Sequence, residues 1–268
     1  MTKSHATILY HEAEHDHEQP ILDVRHLSVR YNGHTALDRL TFHLHAGERV
    51  AVVGPNGAGK STLFKAVAGS LPVSEGEIKI FGSQPSGHVC IGYVPQRNNV
   101  DWHFPVSVED VVMMGRIAKI GLFGWPRPAD RQRVQAALET VHLTPLAKRQ
   151  IAQLSGGQQQ RMFIARALAQ ESELMLMDEP LTGLDAPSQK DLLTLLDELK
   201  TQRVTILVAT HDLQQAATHF ERVMLLNRRI VAFGAPAEVL TSEHLANAYG
   251  GGALQLLGDT CCEGEPQP

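Results

Sequence analysis

Aromatic residues are scarce in this chain, at 5 %, and cysteines number three. No apolar run approaches the roughly 18 residues a membrane-crossing helix takes. Three cysteines cannot build a disulfide framework, which points to a reducing compartment. Cys90 lies in a strand-like run and reads as a small buried side chain; Cys261-Cys262 sits in a polar tail, as inert thiols or as a metal or redox pair. The first residues hold Glu12, Glu14 and Asp16 among histidines, not the apolar core of a secretory signal. The expectation is a cytoplasmic protein; if it works at a membrane, it does so through a partner. Basic tracts are missing as well. The net charge of −5 comes from the ends, where Lys3 faces Glu12, Glu14, Asp16 and Glu18, and where Asp259, Glu263 and Glu265 stand alone. The near-neutral body disfavours a nucleic-acid partner.

What is present is ordinary globular material, 43 % hydrophobic and 20 % charged over 268 residues, enough for a sizeable core. Short strands come first. Phe42 and Leu44 alternate with Thr41, His43 and His45, so that the two histidines read as an outward strand face or as a ligand pair. Val50 to Val53, Leu174 to Met177 and Val204 to Ala209 are continuous apolar runs, suited to buried parallel strands. Helical spacing joins Val134, Ala137, Leu138 and Val141, then Leu192, Leu195, Leu196 and Leu199, then Leu213, Ala216, Ala217 and Phe220. Strands alternating with helices predict a parallel sheet flanked by helices. The segment from Arg97 to Leu154 breaks that rhythm; it carries a capping box at Ser107 and Asp110 and a Gly- and Pro-rich loop from Gly121 to Pro128. The expected division is a His- and acid-rich tail at 1–20, an α/β core at 21–96 and 155–240, a helical subdomain at 97–154 and a C-terminal extension at 241–268.

Gly54-Pro55-Asn56-Gly57-Ala58-Gly59-Lys60-Ser61 is a phosphate-binding loop placed after a strand. Its glycines let backbone N–H groups wrap phosphates, Lys60 neutralises β- and γ-phosphate charge, and Ser61 holds Mg²⁺. Asp178 and Glu179 end an apolar strand, where one carboxylate can hold the metal and the next orient water. His211 follows the strand that ends Ala209-Thr210, near the same edge. Leu154-Ser155-Gly156-Gly157-Gln158 places a hydroxyl, two glycines and an amide at a helix start, a second anion-favouring terminus far from the first.

Together these motifs resemble the ATP-binding cassette (ABC) transporter ATPases, over roughly residues 21–240. Tyr31 matches the aromatic that stacks on adenine, residues 54–61 and Thr62 the Walker A segment, and Gln96 the Q-loop glutamine. Residues 154–158 match the signature, Asp178 and Glu179 the Walker B pair, Leu184-Asp185 the D-loop, and His211 the switch histidine. The resemblance implies an α/β P-loop ATPase core with N-terminal antiparallel strands and an inserted helical subdomain. It implies ATP and Mg²⁺, with Ser61, Gln96 and Asp178 towards the metal and Glu179, His211, Lys60 and Gln96 as the hydrolytic set. It also implies a head-to-tail homodimer with two shared ATP sites, in which Ser155, Gly156, Gly157 and Gln158 face the nucleotide of the other chain.

A chain with one cassette and no membrane segment resembles the separate ATPase subunit of a bacterial importer, at the cytoplasmic face of the membrane beside permease subunits and, indirectly, an extracytoplasmic binding protein. The run Asn99 to Val106, with Asp101-Trp102-His103-Phe104-Pro105-Val106, followed by Asp110 to Arg116, looks like the manganese/zinc/iron subfamily. Subdomain packing by Trp102, Phe104 and Val106 is the plainer reading of the same residues. His5, His11, His15 and His17 among acidic residues form either a loose metal-binding tail or a solvated one. The alternatives are uptake of an iron chelate, haem or cobalamin-type cargo, and a soluble non-transport cassette.

Overall fold

The computed structural model describes residues 19–31, 33–84, 91–97, 100–121 and 123–250. Cys90, Asn99, Cys261-Cys262 and the histidines of the N-terminal tail lie outside the described residues.

The chain begins with β1 (Leu22–Tyr31), β2 (His34–Leu44), β3 (Arg49–Val53), α1 (Lys60–Val67) and β4 (Glu75–Ile80). β1 pairs antiparallel with both β2 and β4, giving a small sheet of order β2-β1-β4. β5 (Ile91–Val94) then leads into α2 (Val108–Met114), α3 (Ile117–Ile120), α4 (Pro128–Thr140) and α5 (Gly156–Ala169). The rest alternates: β6 (Leu174–Asp178), α6 (Ala186–Thr201), β7 (Thr205–Thr210), α7 (Leu213–His219), β8 (Arg222–Asn227), β9 (Arg229–Gly234), α8 (Pro236–Val239) and α9 (Ser242–Tyr249). The second sheet has the order β5-β6-β7-β3-β8-β9, parallel except for the antiparallel edge pair β8–β9.

Side chains alternate across each central strand, so one sheet makes two cores. Ala51, Val53, Met175, Met177, Ile206 and Val208 join the helices. Val50, Val52, Leu174, Leu176, Leu207 and Ala209 face α1 and the small sheet. Both faces are covered, which is why these strands read as unbroken apolar runs. Leu192, Leu195, Leu196 and Leu199 are all buried, as their spacing predicts. The last helical pattern is only partly realised: Ala216 and Phe220 are buried, but Ala217 is exposed because α7 lies on the surface with a narrow inward face.

The helical segment packs as one layer. The Ser107–Asp110 capping box is present at the start of α2. α5 packs against α2 and α4 on one side and against β5 on the other, so the helix after the signature bridges helical layer and sheet. Trp102 and Val106 pack against this core, Trp102 edge-on to Phe163 at 5.7 Å, whereas Phe104 is exposed. His43, on the outer face of β2, and His45, just past its end, are exposed with their rings in edge contact. Among the described residues no group of three or more His, Cys, Asp or Glu could hold a metal ion, and no helix is long and apolar enough to cross a membrane.

Candidate active site

Three neighbouring strands of the large sheet end together. β6, β7 and β3 lie side by side, with Asp178 opposite Ala209 and Val53 opposite Thr210. Their C-terminal ends therefore deliver the loop 54–61, the pair Asp178-Glu179 and His211 to one edge. The cleft there is lined by Gly54, Pro55, Asn56, Glu179, His211 and Tyr249.

The loop closes onto α1 through Gly59, whose φ of 99° lies in the left-handed region. A Cβ on Gly59 would also stand 2.7 Å from the backbone carbonyl of Ala36, so glycine is required twice over. The buried ammonium of Lys60, 7 % exposed, donates to the carbonyls of Gly54 at 2.7 Å and Pro55 at 3.1 Å. Burial lowers its pKa, against the pull of Glu179 and Asp178. A buried cation held by neutral carbonyls, in a glycine-rich loop that opens α1, fits a polyphosphate.

Asp178 is 3 % exposed. Burial raises its pKa, offset by a hydrogen bond from the Ser61 hydroxyl. The Tyr93 hydroxyl approaches it at 3.5 Å; burial and this carboxylate push the phenol up to about 12. The Ser61 hydroxyl, the Asp178 carboxylate and the Gln96 amide oxygen are hard oxygen donors. Such a set suits Mg²⁺, which takes one or two protein ligands beside substrate phosphates.

Glu179 adopts φ 49°, a left-handed conformation that costs a non-glycine residue roughly 1–2 kcal/mol. Its N–H donates to Ala209 O at 3.0 Å, which holds the turn. The carboxylate accepts from Gln96 Nε2 at 3.2 Å and Thr182 Oγ1 at 3.2 Å, and His211 Nδ1 stands 3.8 Å away. The turn thus holds the carboxylate between an amide and an imidazole at the cleft.

The signature residues stand apart from this group. Ser155 caps α5 in a capping box: its hydroxyl accepts from Gln158 N at 3.4 Å, and Gln158 Oε1 accepts from Ser155 N at 3.0 Å. Its S-x-x-Q spacing is a recognisable cap that the reading of the pentapeptide as an anion site passed over. Gly156 and Gly157 lie against Arg97, Leu184 and Ser188, not against the loop 54–61. No residue of 154–158 lines the cleft. Tyr31, at the end of β1, is exposed; Thr62 follows Ser61 in the first turn of α1; Asp185 is exposed at the start of α6.

Sequence reasoning missed Tyr249. Its ring lines the cleft from α9, its hydroxyl is buried without a hydrogen-bond partner, and burial raises its pKa. Asn227 Nδ2 anchors that helix by donating to Ala248 O at 2.8 Å. No local pattern signals a contact between residues this distant in the chain.

Comparison with known proteins agrees with this architecture. The family model described as "ABC transporter" matches residues 37–182. The chain is 44 % identical over 247 residues to the manganese transport system ATP-binding protein MntB of Bacillus subtilis (strain 168), covering 92 % of this chain and 99 % of that one. It is 44 % identical to the zinc transport system ATP-binding protein TroB of Treponema pallidum (strain Nichols), covering 86 % of this chain and 87 % of that one. A solved structure described as an inward-facing metal-chelate type ABC transporter superposes with a TM-score of 0.77 at 36 % identity, covering 86 % of this chain and 89 % of its own.

Proposed function

We infer from the ABC transporter family, to which this chain belongs, that it is the ATP-hydrolysing subunit of an importer for a divalent transition metal: manganese, zinc or iron. The observation that carries the mechanism is the separation of two half-sites. The P-loop, Glu179 and His211 line one cleft, while the start of α5 lies outside it. Two chains arranged head to tail complete each other's ATP site.

In this reading Tyr31 stacks on the adenine. The loop 54–62 cradles the phosphates: Gly54, Asn56, Gly57, Ala58 and Thr62 offer backbone N–H groups, Pro55, which has none, shapes the turn, and Lys60 turns from its carbonyls to the β- and γ-phosphates. Ser61, Asp178 and Gln96 would hold Mg²⁺, which supplies charge neutralisation at the phosphoryl oxygens when bound. Glu179 orients and polarises the attacking water, and His211 steadies the γ-phosphate and the carboxylate. Ser155, Gly156, Gly157 and Gln158 of one chain face the γ-phosphate of the other, and Asp185 lines the seam. The set works by positioned charge, which is where phosphoryl transfer gains most of its rate. ATP closes the dimer, and hydrolysis with release of phosphate opens it.

The cycle reaches a permease through the helical subdomain. Among the described residues the exposed large hydrophobics other than Tyr31 are Phe104, Met114, Ile117, Phe123 and Trp125, all from that subdomain; Phe123 is 94 % and Trp125 88 % exposed. Apolar groups gathered like this favour a docking partner. The chain thus works peripherally, on the cytoplasmic face, beside membrane subunits fed by an extracytoplasmic binding protein. Metal cargo is supported by the likeness to manganese and zinc ATP-binding proteins. The test is a deletion strain. Growth limited by one of these metals and restored by wild-type chain, but not by Glu179→Gln, is expected; growth indifferent to metals contradicts the cargo, and full rescue by Glu179→Gln contradicts the catalytic role.

A further inference from the structure

Gln96 and Arg97 are neighbours whose side chains reach opposite machinery. Gln96 Nε2 donates to Glu179 Oε2 at 3.2 Å, in the cleft. Arg97 Nε donates to Gln159 Oε1 at 3.1 Å, on the first turn of α5. Gln159 is buried and the bond half-buried, so it weighs more than a fully exposed contact. The backbone of Arg97 is fixed by the same helix: its carbonyl accepts from Trp102 Nε1 at 3.1 Å, and the Trp102 ring rests on Phe163. The guanidinium lies over Gly156, where a Cβ would stand 2.5 Å from Nη1, and Leu184 Cδ2 closes the other flank at 3.1 Å. A side chain at 156 would push the guanidinium aside, so glycine there lets a cation rest at the start of α5. Without an anion that placement opposes the helix dipole; an arriving phosphate reverses the sign.

We propose that Arg97 is a positioning residue that ties the state of Gln96 and Glu179 in one ATP site to the signature helix start that serves the other. This rests on the two-chain reading above. Nucleotide entering the cleft competes for Gln96 and shifts it from Glu179. The adjacent Arg97 then moves with the backbone and resets Gln159 and Gly156. Since that helix start belongs to the opposite composite site, filling one site prepares the second. Contiguity alone does not establish coupling, so a mutant cycle is the proper test.

Steady-state ATP hydrolysis by the full-length chain is measured against ATP concentration for wild type, Arg97→Ala, Gln159→Leu and the double variant. The wild-type Hill coefficient is expected between about 1 and 2, as two coupled sites require. Arg97→Ala should bring it to about 1 and raise KM about tenfold, the worth of one hydrogen bond to a charged group. Gln159→Leu should match it, and the double variant should be no worse than either. Arg97→Lys, which keeps the charge but not the planar fork, should recover KM more than cooperativity. ADP affinity of the single chain, which needs no second signature, should stay unchanged in all of them and so report an intact fold. Wild-type cooperativity in Arg97→Ala, or additive losses in the double variant, overturns the proposal. Should Glu179→Gln form no dimer with ATP, the two-chain reading fails first and the coupling falls with it.

Discussion

Arg116 and Lys60 are buried to the same depth, each 7 % exposed, and are partnered in opposite ways. Arg116, in the helical layer, bonds Asp130 at 3.0 Å, Glu171 at 2.9 Å and the carbonyl of Ala169 at 2.8 Å. Lys119 and Arg133 close on the same Glu171. Lys60, at the strand edge, meets carbonyls of its own loop at hydrogen-bond range, while Glu179 and Asp178 act on it only through space. A buried charge satisfied by its own chain is architecture; one left on neutral dipoles is poised for an anion from outside. The carboxylates repeat the contrast. Burial works against the charge of Glu171 and Asp130, yet hydrogen bonds and neighbouring cations hold both below the usual carboxylate range. Burial pushes Asp178 the other way.

The contrast can be broken most severely at Glu179. Glu179→Gln should lower ATP turnover by about 10²–10⁴-fold, the usual contribution of a positioned acid–base group, with ATP still bound; steady-state phosphate release reads the loss. Next comes the exchange of cations for apolar chains. Arg116→Met takes the shared cation from Asp130 and Glu171, leaving Glu171 to Lys119 and Arg133 and Asp130 to the Arg127 N–H, and should cost about 3 kcal/mol in denaturant unfolding. Lys60→Met should change fold stability by less than about 1 kcal/mol while abolishing nucleotide binding. Equal losses would erase the distinction.

Asp178→Asn removes a charge that burial disfavours, so it should raise the nucleotide-free Tm rather than lower it, and still be inactive. The smallest effect is on acid stability. Glu171 and Asp130 have depressed folded pKa values, so their contribution is full above the unfolded values near about 4 and is lost as pH falls through the folded ones. Asp178 has the opposite sign, because its burial penalty is relieved as pH falls. Acid unfolding should therefore be shallower in Glu171→Gln than in wild type; an identical pH profile contradicts the assignment.

The sequence carried the site better than it carried the sheet. The loop 54–61, Asp178-Glu179 and His211 are each local, set at the end of an apolar run, and the expected closeness of the Asp178 and His211 strands is realised by the β6–β7 pairing. Strand order is decided by long-range pairing, and neither β3 between β7 and β8 nor the antiparallel β9 has a local signature. Trp102 and Val106 buried beside an exposed Phe104 show that one motif can serve packing and surface at once. Tyr249, the Arg97–Gln159 bond and the Arg116 network join residues far apart in the chain, beyond the reach of any spacing rule.

The central claim is that one chain holds two halves of different sites, and the state of the Glu179→Gln chain in solution tests it most directly. Sedimentation with ATP and Mg²⁺ should give twice the single-chain mass. Adding Ser155→Arg should return it to the single chain while leaving ATP bound at the P-loop. A dimer indifferent to Ser155→Arg, or a single chain that persists in saturating ATP without that change, would contradict the account.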